Sequence, residues 1–80
     1  MQSENIDRRV RSTLSLALGI EVPSTGAFAR SDNPVWDSLK HVEVIFMLED
    51  EFGVQFAEEE FALLSSAEDI TKLVESRLAP

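Results

Sequence analysis

Hydrophobic positions along this chain fall into three runs at helical spacing, joined by one long polar connection and one short acidic one. In the first run Ile6, Val10, Leu14, Ala17 and Leu18 recur at 4-4-3-1 spacing, which puts them on one face of a helix. Ser3 or Asn5 can cap its start, Asp7 sits favourably in the opening turn, and Gly19 is placed to end it. Thr13 and Ser15 lower the intrinsic propensity, so packing must hold this segment in place. The second run extends from about Ser38 to Phe52 and stops at Gly53. Wound at about 100° per residue, it gathers Ile45, Leu48 and Phe52 on one side, with His41 and Val44 flanking them. Val42 and Phe46 fall between that face and the acids Glu43, Glu49, Asp50 and Glu51, near the side of Ser38. They either complete the core or leave an apolar strip exposed beside the serine. The third run, Ile70, Leu73, Val74, Arg77 and Leu78, follows the i, i+3, i+4, i+7, i+8 stripe of an amphipathic helix.

Between the first two runs lies Gly19 to Trp36, with Pro23, Gly26, Asn33-Pro34 and several Ser and Thr. A connection this long is usually tied down or functional. Ile20, Val22, Phe28, Val35 and Trp36 are its predicted anchors, with Trp36 read as a packing residue. Pro34 disfavours helix at Asn33 and sharpens the boundary before the second helix. After Gly53, Val54 and Phe56 lead into the acidic turn Glu58-Glu59-Glu60, and Phe61, Leu63 and Leu64 predict a brief helix or helical turn. Ser65 with Glu68, or Ser66 with Asp69, fits capping-box spacing at the start of the last helix. The predicted fold is therefore all-α: a small four-helix bundle of three main helices plus one short helix, with a long first loop and a single domain over residues 1–80.

Eighty residues bury only a modest core, which argues against a deep catalytic cavity. With no cysteine the chain has neither disulfides nor a thiolate metal site, and any thioester chemistry needs an added group. Nothing resembles a signal peptide, since Glu4 and Asp7 stand near the N-terminus and no long apolar run follows Arg8, Arg9 and Arg11. No segment has the length of a membrane span, and the expected location is the cytoplasm. Fifteen acids against seven Lys and Arg leave a formal charge of −8, which repels nucleic acid and favours basic protein surfaces. The distribution is uneven: acids dominate from Glu43 to Asp69, whereas Arg8, Arg9, Arg11 and Arg30 all lie in the first part of the chain.

The chemistry concentrates at Trp36-Asp37-Ser38-Leu39, where the loop meets the second helix. A serine there stands at a helix N-terminus, where unpaired N–H groups and the helix dipole favour phosphate. The bland alternative is that Asp37 or Ser38 merely caps the helix, although Lys40 and His41 stand where a capping box would need Glu or Gln. A Ser38–His41 hydrolase dyad is rejected, because Asp37 adjoins the serine instead of standing behind the histidine. His41 is expected to be a partly buried residue of the helix face. The acids lack the spaced ligands and glycine of a calcium loop, so no dedicated metal site is expected. Glu43, Glu49, Asp50 and Glu51 are read as a solvated face open to Arg or Lys of partners.

Asp37-Ser38-Leu39, then Val42-Glu43, then Leu48-Glu49-Asp50-Glu51-Phe52-Gly53-Val54 closely resemble the acyl carrier protein family. The organisation extends the resemblance over nearly the whole chain, with Ile6 to Arg30 matching in helix pattern and length only. The resemblance implies a non-enzymatic carrier, monomeric, whose Ser38 receives 4'-phosphopantetheine from coenzyme A, with Asp37 and Leu39 at the attachment site. Cargo, acyl or aminoacyl, would ride on that arm as a thioester. It further implies a phosphopantetheinyl transferase and acyl- or aminoacyl-loading and processing enzymes as partners, docking on Val42, Glu43, Phe46, Glu49 and Asp50. Fatty-acid-type carriers usually show Gly-Ala before the Asp-Ser-Leu motif and an acid after it. Here Val35-Trp36 precede it and Lys40-His41 follow, which resembles stand-alone carriers of polyketide, nonribosomal-peptide or modified-sugar assembly. The rival is an acidic helical adaptor that binds a basic partner, carries no prosthetic group and uses Ser38 only as a cap.

Overall fold

The first apolar stripe becomes α1 (Ser3–Leu18), and all five of its predicted core residues are buried. A computed structural model of the chain describes residues 3–78, with side chains from Asn5 to Leu78. The cap considered for Ser3 therefore lies outside the described side chains, and Asn5 sits inside the helix instead of at its start. Gly19 ends α1 at φ 71°, and its N–H closes on the Ser15 carbonyl at 2.9 Å. The two weak helix formers are put to use: the Thr13 hydroxyl donates to the Arg9 carbonyl, and Ser15 Oγ accepts from the Val22 N–H.

The second helix, α2, spans Ser38–Phe52 and buries His41, Val44, Ile45, Leu48 and Phe52, the face predicted from the spacing. Gly53 terminates it in the left-handed conformation at φ 65°, which a side-chain-bearing residue rarely adopts. The short helix is a 3₁₀ segment, Glu58–Leu63. Its acidic first turn uses Glu60, which accepts from the Ala57 N–H and pairs with Arg77. The Arg77 hydrogen bond, helped by that backbone donor, holds the Glu60 carboxyl below its ordinary range.

The last helix, α3 (Ala67–Leu78), starts one residue later than the first of the two capping options requires. Ser66, not Ser65, accepts from the Asp69 N–H at 3.0 Å, while the Ser65 carbonyl receives the N–H of Arg30. Ile70 and Val74 are fully buried and Leu73 partly so, but the stripe leaves the core at its end. Arg77 lies over the Phe56 ring and Leu78 is exposed. Among the described residues α1 makes substantial contacts with both α2 and α3 and so forms the middle of the bundle. Each large side chain sealed there contributes about 1.5–3 kcal/mol.

The long connection is tied down as predicted, though not at every anchor. Val22, Phe28 and Trp36 are buried and Ile20 packs at the core edge, but Val35 is exposed. One turn of 3₁₀ helix, Arg30–Asp32, interrupts the loop and stops at the extended Asn33 before Pro34. Paired backbone bonds join this region to the start of α3, Arg30 N–H to Ser65 O and Ala67 N–H to Phe28 O. Arg11 holds the earlier half of the loop. Its guanidinium is buried, binds Asp7 at 3.0 Å and donates to the carbonyls of Pro23 and Gly26, each at 2.8 Å.

Candidate functional site

Asp37 takes the capping position of α2. Its carboxylate accepts the Lys40 N–H at 2.9 Å, and its carbonyl accepts the His41 N–H. Ser38 is thereby the first helical residue, exposed, with its hydroxyl free of the capping task. Of the two roles open to this serine, the geometry leaves it displayed at the head of the helix. The next residue, Leu39, is 75% exposed.

Beneath the serine the backbone is held by a buried polar chain. Trp36 Nε1–H donates to His41 Nδ1 at 2.9 Å, and His41 Nε2 lies 2.8 Å from the Phe61 carbonyl. Indole can only donate, so Nδ1 must accept and Nε2 must carry the proton that Phe61 receives. Both ring nitrogens are committed, which removes His41 as a base for Ser38. The indole also stacks on Phe28, with ring centroids 6.0 Å apart. Trp36 is a packing residue, and it joins the loop, α2 and the short helix at one point.

Arg30 enters the site from the one-turn helix in the loop. Its Nε donates to the Trp36 carbonyl at 3.0 Å, and Nη2 reaches to 3.4 Å from Ser38 Oγ. Sequence reasoning missed this residue, although one signal was available: it is the only base between Gly19 and Ser38. It also missed the Trp36–His41–Phe61 chain, for which periodicity carries no sign.

On the outer surface of α2, Val42 and Phe46 are 41% and 61% exposed, so the apolar-strip alternative is the one realised. The acids beside them differ from a uniformly solvated face. Glu43 is exposed and pairs with Lys40 at 3.3 Å; such surface pairs are worth at most about 1 kcal/mol and open readily to a partner. Glu49 is half-buried, and one of its oxygens accepts the Phe56 N–H at 2.9 Å, fastening the segment after α2. Glu51 binds Arg9, whose guanidinium also sits 4.5 Å from the Phe52 ring centroid. Asp50 is exposed, with no hydrogen bond or ion pair to its side chain among the described residues. Among the described residues no cluster of His, Cys, Asp or Glu could hold a metal ion, and no helix is long and apolar enough to cross a membrane.

No family model matches the chain. Curated relatives do. The acyl carrier protein of Thermosynechococcus vestitus is 30% identical over 82 aligned positions, covering 99% of both chains. Acyl carrier protein 2, chloroplastic, of Arabidopsis thaliana is 36% identical over 69 residues, covering 86% of this chain; that alignment spans about half of the plant protein, 48%. Helix order, the displayed serine and full-length similarity to a carrier agree: this chain belongs to the acyl carrier protein family.

Proposed function

We propose that Ser38 is the attachment point of 4'-phosphopantetheine and that the chain presents acyl or aminoacyl thioesters to partner enzymes. The observation that carries this reading is the exposed Ser38 hydroxyl at the first position of α2, with helix capping already done by Asp37. Attachment forms a bond from Ser38 Oγ to the β-phosphorus of coenzyme A and breaks the phosphoanhydride, releasing adenosine 3',5'-bisphosphate. The serine proton must pass to a base of the transferase, since both nitrogens of the nearby His41 are engaged. Once attached, the arm supplies the thiol that this cysteine-free chain lacks.

The chain's own contribution is display and recognition. Asp37 sets the helix start, so the hydroxyl projects from an ordered turn. Leu39, Val42 and Phe46 offer an apolar strip, and Glu43 and Asp50 offer charges that basic partner surfaces can read. Glu49 contributes mainly by fixing the backbone beside that strip.

Incubation with coenzyme A, Mg²⁺ and a broad-specificity phosphopantetheinyl transferase, followed by intact-mass measurement, tests the proposal. One phosphopantetheinyl group should be added to the wild type and none to Ser38→Ala. An unmodified wild type, or a mass gain that survives Ser38→Ala, would refute it and return the adaptor reading to first place.

A further inference from the structure

We infer that Arg30 is the counter-ion of the phosphodiester formed at Ser38, pinning the root of the prosthetic arm to the loop. This rests on the carrier reading above.

The first support is an unanswered charge. Arg9, Arg11 and Arg77 each hold a carboxylate, from Glu51, Asp7 and Glu60 respectively. Arg30 is half-buried and, among the described residues of a chain with fifteen acids, has no carboxylate within ion-pair distance. A partly desolvated guanidinium is normally matched by an anion. Here the atom it reaches is the oxygen that would become the phosphate ester, 3.4 Å from Nη2.

The second support is the mount. Arg30 is gripped through its own N–H to Ser65, through its carbonyl to the Asn33 N–H, and through Nε to the Trp36 carbonyl. The Trp36 end of that grip is sealed by the indole–histidine bond. The guanidinium is thus presented with little rotamer freedom left to lose, which is the condition under which its planar fork binds phosphate well.

The other donors near Ser38 differ from Arg30 in kind. Lys40 is half-buried and faces Glu43, and its backbone N–H is taken by Asp37. The N–H groups of Ser38 and Leu39, in the first turn, have no acceptor within the helix and can share the phosphate oxygens with Arg30. The phosphodiester adds one negative charge to a surface already at −8, and Arg30 is the one cation fixed beside the point where it arrives.

Phosphorus and arginine side-chain NMR on the full chain test this. In the phosphopantetheinyl form, the phosphorus resonance should be displaced from that of the same modified protein unfolded in urea, where the diester has lost its folded surroundings, and drift towards it as salt rises. Arg30→Ala should remove most of the displacement at low salt, and Arg30→Lys should retain more of it than Arg30→Ala. In wild-type protein the Arg30 guanidinium signals should move between the unmodified and modified forms, a comparison that needs no variant to fold. A phosphorus resonance indifferent to Arg30→Ala, together with unmoved guanidinium signals, overturns the inference while leaving Ser38 as the attachment point. A wild type that accepts no phosphopantetheine overturns both.

Discussion

The two halves of the long connection are each held by an arginine, but on different terms. Arg11 reaches out from α1 and is engaged at all three of its nitrogens: a carboxylate on its own helix and two loop carbonyls receive them, and it is only 6% exposed. Arg30 reaches from the loop towards α2 with one firm backbone bond and one long contact to a serine oxygen. The first arrangement is complete without any other molecule. The second leaves cationic capacity pointed at the place where chemistry is expected. The same residue type, some twenty positions apart in one acidic chain, thus serves as a closed clamp in one half and an open one in the other.

Substitutions that remove each clamp should separate these roles. Arg11→Ala should have the largest effect on folding, about 2–4 kcal/mol, because it strips Asp7 of its ion-pair partner, leaving only the Thr71 hydroxyl, and two loop carbonyls of their donor. A urea midpoint followed by circular dichroism reads it; a loss below half of the lower figure would mean that water replaces the guanidinium freely. Trp36→Phe keeps an aromatic ring but deletes the donor to His41. About 1–3 kcal/mol should be lost, and most of the loss should vanish when the change is made in a His41→Leu background. An equal loss in both backgrounds would show that ring packing, not the buried hydrogen bond, is what counts. Arg30→Ala should cost least, about 0.5–1.5 kcal/mol for one hydrogen bond to a half-buried carbonyl. If it destabilised the unmodified protein as much as Arg11→Ala, the contrast drawn between the two arginines would be lost.

What could be read from the residues was whatever depends on period and punctuation. The apolar face of α1, the limits Ser38–Phe52 of α2 and the glycine stops all follow from spacing and from the conformations open to glycine. The same spacing placed Val42 and Phe46 at the boundary of the core but left their exposure open, since that depends on which elements pack alongside. What escaped was every interaction made across sequence distance by a polar side chain. Val35, an expected anchor by its apolar side chain, lies outside the core, because the turn before α2 gives the inward position to Trp36. In the sequence Glu49 looks like its exposed acidic neighbours, yet it faces a backbone N–H seven residues on. Asp37 and Ser38 were equivalent as caps on paper, and only the geometry of the first turn chose between them.

The single indole of the chain is sealed at the junction, 1% exposed and hydrogen-bonded to the single histidine. Its emission therefore comes from one known location, two residues before Ser38. Unlabelled protein thus carries an intrinsic optical reporter there, and its spectrum can follow loosening of that corner separately from loss of helix elsewhere in the bundle.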